Sequence, residues 1–447
     1  MQKSIALHTL IATSDDGFSF DEFILRLNEY AMRDGLPGIA SFVLSLIDES
    51  LLIRQTLGPK EKRMACPHCG GKKFTCKDRA QRTIRTGIGK VNFLWRRLLC
   101  SECNRLFIPL RSFTRLERWQ SKTNELERTA MEVFTEQSYR RGSNHFKQIG
   151  VIPIPHSTAH RWVMETDSAA MDTRHSDVEV VMADGTGFKR RPNKEAGVDN
   201  KGEVRVGVGL TRKGKWVPLC AETQESWDEL ATRMKERVGE DEDAPSMAVS
   251  DGERGLPEAL AQLAGNVQRC TWHLTHQLRF ALYDDKVKKP EQKPHLDELA
   301  TILAINVPPN SLQPIDPGKR AEIEQQMMDS AAAMDRLIGV LSRAGHSHAA
   351  TYLRKAQSQS FSWLAFWLQS GICCARTTSY LERLMREIGR RLKKIAFGWK
   401  PAGAAQMTRL IIRKIVNPDE WKLYWKERLG IEGNVRVVFR SVGLSIS

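Results

Sequence analysis

The chain has 447 residues, 41% of them hydrophobic, and a formal net charge of +15 with a pI near 9.4. One compact core rarely organises this length, so two to four domains are expected. No apolar run approaches the roughly 20 residues of a membrane span and no signal peptide is evident, which argues against a membrane or exported protein. The charge favours an anionic partner, most often nucleic acid, although ribosomal or membrane surfaces also attract basic chains.

Residues 1–58 are predicted to form an N-terminal helical region. From Phe20 to Met32, apolar residues recur at the spacing of one helix face, until residues 35–38 (Gly-Leu-Pro-Gly) interrupt the pattern. A second apolar stretch continues to Leu57. The pattern indicates packing or self-association rather than chemistry.

Residues 59–115 contain two C-x-x-C pairs separated by a strand-like, hairpin-sized spacer. Without an export signal, paired cysteines favour metal over disulfides. Tetrahedral Zn²⁺ needs four thiolates at about 2.3 Å, which two such pairs supply. The pattern predicts a zinc ribbon with structural zinc; a redox or coincidental pairing is the alternative. The predicted ligands are Cys66, Cys69, Cys100 and Cys103.

The spacer of this ribbon is rich in cations, including Arg96 and Arg97. Cations gathered on one face of a small domain bind DNA phosphates. We therefore predict a phosphate-binding face that includes these two arginines. The alternative is a merely solvated basic face.

Residues 116–172 are predicted to be helical, with a tight turn typical of a helix-turn-helix. A short second helix near residues 157–163 carries His160 and Arg161, with Trp162 and Val163 on its buried side. In a helix-turn-helix the second helix enters the major groove. We therefore predict DNA contact by His160 and Arg161, with a purely structural helical linker as the alternative.

Two strands of the next region each run into an Asp-Gly pair. The apolar strand from Val178 leads to Asp184, and Gly185 and Gly187 are expected to end it there. The strand at residues 247–250 leads in the same way to Asp251. A hairpin meander followed by strand, helix, strand and helix is the element order of a ribonuclease-H-like domain, here residues 173–284 and 371–415. That order places the ends of the first and fourth strands side by side.

Two carboxylates at neighbouring strand ends repel unless a divalent cation lies between them. Mg²⁺ (or Mn²⁺) prefers such hard oxygen ligands, and two ions can activate the attacking oxygen and stabilise the leaving one. A third carboxylate on a later helix would complete the site. The candidate is Glu382, with Glu387 as the alternative on the same helix. The basic run Lys189, Arg190 and Arg191 is predicted to contact DNA phosphates beside these metals.

Four blocks of this sequence resemble those of Mutator-type bacterial insertion-sequence transposases: ADGTGF at Asp184, SDGERGL at Asp251, QRCTWHL, and TTSYLERLMREIGRR at Glu382. The resemblance covers roughly residues 130–410. It implies a multidomain α/β protein whose ribonuclease-H-like catalytic domain carries a helical insertion, here residues 285–370. A zinc ribbon and a helix-turn-helix ahead of that domain suit such enzymes. Residues 416–447 are expected to form a short tail.

The resemblance also implies the chemistry. Asp184, Asp251 and Glu382 correspond to an Asp-Asp-Glu triad that holds Mg²⁺ for hydrolysing and rejoining DNA. Cys270 and His273 match a C-x-x-H block next to the active site. The family has Asn three residues after the Glu, where this chain has Met385. The implied partner is double-stranded DNA, both terminal inverted repeats and target, bound by a homo-oligomer in the bacterial cytoplasm, on the nucleoid.

Three functions follow from these patterns. The first is a DNA transposase that cleaves the ends of an insertion sequence and transfers them into target DNA. The second is a domesticated DNA-binding protein that retains the zinc ribbon and helix-turn-helix without cleavage activity. A resolvase-like nuclease is the third, and the two N-terminal DNA-binding modules favour the transposase over it.

Overall fold

A computed structural model describes residues 19–57, 64–149, 152–166, 171, 173–191, 200–240, 243–308, 316–393 and 398–430. It is a mixed α/β protein that divides into two compact units. The first unit comprises Met1–Trp162 with Arg428–Ser447, and the second comprises Val163–Glu427. Each unit is built around its own sheet.

The first unit begins with helices α1 (Phe20–Tyr30) and α2 (Leu36–Leu57). A π-helical turn, Ala31–Gly35, joins them, so the expected interruption at residues 35–38 is wrong: the chain stays helical. Phe20–Ile53 is long and apolar enough to cross a membrane by length and composition, a weak criterion that core helices of soluble proteins also meet. Part of this apolar character serves a protein core, because Ala40, Leu44 and Ile47 pack against buried residues of the neighbouring sheet.

That sheet has three antiparallel strands, β1 (Phe74–Thr86), β2 (Gly89–Cys100) and β3 (Leu106–Phe107), in the order β1-β2-β3. Alternate residues of β2, including Phe93 and Trp95, point inward and pack with Leu110 of α3 (Pro109–Thr114). The hairpin turn at residues 87–88 brings the start of β1 opposite the end of β2, since Phe74 pairs with Cys100. Both C-x-x-C pairs therefore meet at one end of the hairpin.

Three helices follow: α4 (Asn124–Glu136), α5 (Tyr139–Gln148) and α6 (His156–Glu165). Only Gln137 and Ser138 separate α4 from α5. The two helices approach closely because Gly142 has no side chain; a Cβ there would lie 2.6 Å from Phe134. The helical character predicted for residues 116–172 is present in its described part.

The second unit contains a five-stranded sheet in the order β6-β5-β4-β7-β8. Its strands are β4 (Val178–Lys189), β5 (Lys201–Thr211), β6 (Trp216–Thr223), β7 (Met247–Ser250) and β8 (Asn266–Arg269). The first three form an antiparallel meander, whereas β7 and β8 run parallel to β4. The predicted meander is present, and β7 lies directly beside β4.

The end predicted for β4 is wrong. The strand continues past Asp184 to Lys189, and Gly185 and Gly187 pair with Arg205 and Glu203 of β5. Glycine weakens a strand but does not stop one whose partner supplies the hydrogen bonds. Pairing of β4 with β7, in contrast, ends at Met182. Asp184 therefore lies on a part of β4 that is paired with β5 but not with β7.

Helices cover both faces of this sheet. On one face, α7 (Trp227–Lys235) and α8 (Leu256–Leu260) pack on a cluster that includes Val181 and Ala183. The helices α14 (Ser379–Leu392) and α15 (Pro401–Val416) lie against β4 and β6, and the Tyr380 ring stacks on Trp216 at 3.9 Å.

Between β8 and α14 the described residues are mainly helical, which agrees with the helical insertion predicted for residues 285–370. Helix α9 (Thr271–Asp284) is followed by α10 (Lys289–Leu303), α11 (Pro317–Arg343), α12 (Ser347–Ala356) and α13 (Ser362–Ser370). Helices α9 to α12 share a core cluster of their own. The α13 residues Trp363, Phe366 and Trp367 are buried, which agrees with a core stripe rather than a base-stacking surface.

The prediction of a tail from residue 416 is wrong for its described part. Helix α16 (Pro418–Leu429) follows α15, with Trp421 and Trp425 buried. The sequence pattern did not predict this helix, because two tryptophans at i and i+4 form only a narrow apolar stripe. The strand-like pattern near Val435 lies outside the described residues.

Candidate functional site

The four cysteines of the ribbon converge as a metal site requires. The sulfur atoms of Cys66, Cys69, Cys100 and Cys103 all lie within 4.8 Å of one another. Cys66 Sγ lies 3.7 Å from Cys103 Sγ, and Cys69 Sγ lies 3.6 Å from Cys100 Sγ. Four sulfurs at 2.3 Å from a tetrahedral zinc ion stand about 3.8 Å apart. The cluster therefore has the dimensions of a structural zinc site.

Each C-x-x-C pair is held in a turn that prepares its thiolates. The backbone N–H groups of His68 and Gly71 point at Cys66 Sγ and Cys69 Sγ, at 3.5 and 3.4 Å. The residue after the second cysteine has a positive φ in both pairs, +76° at Gly70 and 56° at Asn104. Glycine and asparagine adopt this conformation most readily, so the sequence suits both turns.

The predicted phosphate-binding face of the ribbon does not include Arg96. Its side chain is only 7% exposed and forms an ion pair with Asp48 at 3.3 Å and another with Glu49. Strand alternation predicts an exposed Arg96, but Asp48 and Glu49 in the middle of α2 cover this position. Arg97 is more exposed, yet its guanidinium holds both carboxylate oxygens of Asp78, which offsets its charge.

The predicted recognition residues of the helical region lie on the surface of α6. His160 and Arg161 are exposed, while Trp162 and Val163 are buried, as the pattern predicts. The His160 ring meets the Tyr139 ring edge-on at 5.7 Å, which ties α6 to α5. DNA contact by this helix remains a prediction.

Asp184 on β4 and Asp251 directly after β7 occupy equivalent positions relative to these neighbouring parallel strands. Met182 pairs with Val249, so each aspartate follows its partnered residue by two positions. Neighbouring strands lie about 4.8 Å apart, and residues in register point to the same face. Because Val181 and Ala183 face α7 and α8, Asp184 points to the opposite face.

The electrostatics of Asp184 reflect this pairing. Burial raises the pKa of its carboxyl to about 7, and the nearby charge of Asp251 adds to the effect. The N–H of Gly185 donates to Asp184 Oδ1 at 2.7 Å and opposes the shift without cancelling it. A partly buried carboxylate with so high a pKa lacks a sufficient cationic partner among the residues that the structure describes.

Helix α14 brings Glu382 to this group through the buried Thr378. The Thr378 hydroxyl donates to Glu382 Oε1 at 3.0 Å, and Glu382 Oε1 lies 3.7 Å from His273 Nδ1. The alternative residue, Glu387, lies elsewhere and forms a 2.7 Å ion pair with Arg390. Met385 is buried on the core side of α14.

Cys270 and His273, at the start of α9, complete the same cluster. Burial would raise the pKa of the Cys270 thiol, but hydrogen bonds from His273 and Thr378 outweigh it and lower that pKa. Burial likewise lowers the pKa of His273, whereas Cys270 and the charges of Asp251 and Glu382 raise it above its ordinary value. The pKa of the His273 imidazole thus depends on both Asp251 and Glu382.

Cys270, His273 and Glu382 also have ligand atoms within 4.8 Å of one another, as in a metal site. The space between them is, however, taken by the Thr378 hydroxyl, 3.4 Å from Cys270 Sγ and 3.3 Å from His273 Nδ1. This hydroxyl lies within hydrogen-bonding distance of all three groups, and its single proton can be donated to one of them. We therefore assign no separate metal to this trio.

Three further residues beside the carboxylates, Gly252, Glu253 and Arg269, were not predicted as site residues. Gly252 has φ +82°, and a Cβ there would lie 0.7 Å from the guanidinium of buried Arg269. Arg269 in turn donates to Gln277 Oε1 at 3.0 Å. Glu253 accepts a 3.2 Å hydrogen bond from Trp227 Nε1, and burial raises the pKa of its carboxyl. Glu253 lies in the SDGERGL block, but the sequence alone did not identify it as a site residue.

The ends of the helical segment meet beside this site. The N–H of Thr271 donates to the Arg376 carbonyl at 3.1 Å, and the N–H of Thr378 points at Cys270 Sγ at 3.4 Å. The chain therefore leaves the sheet at Cys270 and returns to the same place at Thr378.

The basic run Lys189, Arg190 and Arg191 lies at the far end of β4. Lys189 is five positions along the strand from Asp184, a distance of about 16 Å. The run is anchored by backbone hydrogen bonds between Lys189, Arg191 and Trp399, of 2.8 and 2.9 Å. Lys189 and Arg191 are exposed. The expectation that these cations sit immediately beside the carboxylates is wrong, because β4 continues past Asp184.

Comparison with known proteins adds no relative: no protein-family model matches the chain, and no curated protein matches it.

Proposed function

We propose that this protein is a DNA transposase of the Asp-Asp-Glu type, with a ribonuclease-H-like catalytic domain. The observation that carries the proposal is the convergence of Asp184, Asp251 and Glu382 around His273, from three elements far apart in sequence. The sheet order, with two parallel strands added beside the first strand of a meander, supports the domain assignment. The four sequence blocks that resemble Mutator-type bacterial transposases fall on this same group.

The carboxylates fit divalent metal ions. Asp184, Asp251 and Glu382 offer hard oxygen donors, which suit Mg²⁺ or Mn²⁺. The raised pKa of Asp184 indicates a carboxyl group short of positive charge. When bound, the metal ions would activate water or a 3′-hydroxyl and stabilise the leaving oxygen of a phosphodiester.

The surrounding residues would keep the third carboxylate in place. Thr378 orients Glu382 by its hydroxyl, and Cys270 holds Thr378 from the other side. His273 lies close enough to Glu382 to donate to it or to a phosphate oxygen. Strand cleavage and strand transfer are both in-line displacements at phosphorus, and the same triad would serve both.

The DNA-binding modules would be the zinc ribbon and helices α4 to α6. The four-cysteine cluster has zinc-site dimensions, and α6 presents His160 and Arg161 on its surface. The net charge of +15 supports binding to duplex DNA. The partners proposed are the terminal inverted repeats and the target DNA, bound by a homo-oligomer on the bacterial nucleoid.

The test is magnesium-dependent nicking of duplex DNA by the full-length protein. Asp184→Asn, Asp251→Asn and Glu382→Gln should each abolish nicking while the protein still shifts the DNA band. Glu387→Gln is the matched control, because Glu387 lies on the same helix but pairs with Arg390. Wild-type nicking by either aspartate variant would overturn the mechanism. A wild-type protein that shifts DNA with no nicked product would instead indicate the domesticated DNA-binding protein.

A further inference from the structure

Helix α9 carries an unusual surface for its position. Trp272, Phe280 and Tyr283 are 51%, 55% and 66% exposed. Among the described residues of the second unit, every exposed aromatic side chain of this kind lies on this helix. Positions 272, 276, 280 and 283 follow one another at spacings of three or four residues, so they share one helix face. We call Trp272, His276, Phe280 and Tyr283 the aromatic face.

The aromatic face is not part of the hydrophobic core of this segment. Leu274, Leu278 and Leu282 on the other side of α9 already fill the core shared with α10, α11 and α12. The rings also have a defined arrangement. His276 stacks on Trp272 with ring centroids 4.7 Å apart and planes 14° from parallel, and Phe280 meets His276 edge-on at 5.1 Å.

The face begins at the carboxylate cluster. The Trp272 ring lies edge-on to His273, with centroids 4.8 Å apart, and His273 Nδ1 lies 3.7 Å from Glu382. From Trp272 to Tyr283 the helix rises about 16 Å. A chain held at the carboxylates would therefore meet Trp272 first and the other rings in succession.

The charge beside the rings is mainly positive. Arg279 is exposed on α9, and Lys286 Nζ lies 6.0 Å from the centre of the Tyr283 ring. Asp284 is the exposed acidic residue at the end of the helix. Exposed aromatic rings interspersed with cations are the usual surface for single-stranded nucleic acid, because every base can stack on a ring while cations hold the phosphates.

We propose that the aromatic face binds unpaired bases of the DNA strand whose phosphate lies at the carboxylates. Trp272 stacks on the base nearest the cleaved bond, and Phe280 and Tyr283 receive the bases that follow. This inference rests on the proposed function in taking DNA as the substrate. It adds that the strand is separated from its complement on one side of the cleavage point.

The test is binding of a fluorescently labelled single-stranded oligothymidylate, measured by anisotropy with the full-length protein in magnesium-free buffer. Trp272→Ala and Phe280→Ala should each weaken binding roughly 10-fold or more, as expected for loss of one stacked base. Trp272→Phe should keep most of the affinity. Leu423→Ala is the matched control, because Leu423 is 51% exposed on α16, away from these rings in sequence.

Two further measurements distinguish stacking from other roles. Affinity for fully paired duplex DNA, and the slope of log affinity against log salt, should not change in the Trp272 and Phe280 variants, because phosphate contacts remain. Unaltered single-strand affinity of the Trp272→Ala/Phe280→Ala double variant would overturn the inference. An equal loss of affinity for duplex DNA would also overturn it. So would a shift of these variants from oligomer to monomer in sedimentation, because the aromatic face would then pack against a second copy of the chain.

The outcome separates this inference from the proposed function. If Asp184→Asn and Asp251→Asn still nick DNA, the proposed mechanism fails even when single-strand binding depends on Trp272. If those variants are inactive but single-strand binding ignores Trp272 and Phe280, only the stacking inference fails.

Discussion

The Thr378 hydroxyl donates a 3.0 Å hydrogen bond to Glu382 Oε1, one helical turn further along α14. The same hydroxyl lies 3.4 Å from Cys270 Sγ, so a group at the start of α9 fixes the third carboxylate on α14. Thr378 is only 1% exposed. It is a positioning residue for Glu382, and it is placed by the fold rather than by any spacing in the sequence.

Thr378→Val should lower magnesium-dependent nicking about 10-fold and raise the magnesium concentration needed for half-maximal activity. Valine keeps the shape but removes a hydrogen bond to a charged group, worth about 1.5–3 kcal/mol. Thr378→Ser should restore the metal dependence, and Ser379→Ala, next to it on the helix surface, should have no effect. A Thr378→Val protein with lower stability but unchanged magnesium dependence would show that Thr378 has only a packing role.

Removal of one ribbon cysteine should release zinc. Cys100→Ser breaks the four-sulfur cluster, so metal analysis should fall from about one zinc ion per chain to nearly none, and the first unit should lose several kcal/mol of stability. Cys76→Ser is the control, because Cys76 is exposed and lies outside the cluster. Equal zinc content in the two variants would show that the cluster is not the zinc site.

The magnesium-free protein should become less stable as pH rises, through Asp184. Its pKa is near 4 in an unfolded chain and about 7 in the fold. The folded state therefore holds a proton that the unfolded state has released. This contribution is complete below pH 4 and is lost as pH rises through about 7, by roughly 2–4 kcal/mol.

Asp184→Asn removes that titration. In urea unfolding, the variant should gain stability over the wild type at pH 8 but show little difference at pH 4. A difference of equal size at both pH values would mean that Asp184 is not the group responsible. Glu387→Gln, which retains Asp184, should still lose stability as pH rises.

Gly252→Ala should be markedly more destabilising than an ordinary substitution at a positive φ. Strain alone at such a position costs about 1 kcal/mol, which Gly214→Ala measures, because Gly214 has φ +75° and open space around it. At Gly252 the new methyl group would meet the Arg269 guanidinium as well. Urea unfolding of both variants should show the larger loss at Gly252, and equal losses would disprove the close contact.

Much of this arrangement could be predicted from sequence because it depends on regular geometry. The C-x-x-C pairs fix two thiolates in one turn, and strand order alone brings Asp184 and Asp251 together. Local residue types also marked Trp162 and Val163 as buried. Where local residue types or the order of the strands determine a contact, the sequence pattern was sufficient to predict it.

The failures arise from partners that the local sequence pattern of a segment does not show. Arg96 is buried because Asp48 and Glu49 of α2 reach it, and alternation along β2 carries no trace of that. Strand β4 passes through Gly185 because β5 continues to pair with it. The role of Thr378 depends on Cys270, a residue more than one hundred positions earlier. Neither end of such a contact identifies the other.

The junction of Thr271 with Arg376 has a consequence for how this chain can change over time. The segment between them starts and finishes at one point and has a hydrophobic core of its own. Helices α10 to α13 can therefore be lengthened, shortened or exchanged for others while Glu382 keeps its distance from the two aspartates, whereas α9 must keep His273 and the aromatic face. A single residue inserted in β4 before Asp184 would instead turn that carboxylate to the opposite side of the sheet. Related sequences should thus diverge freely in helices α10 to α13 and hardly at all in β4.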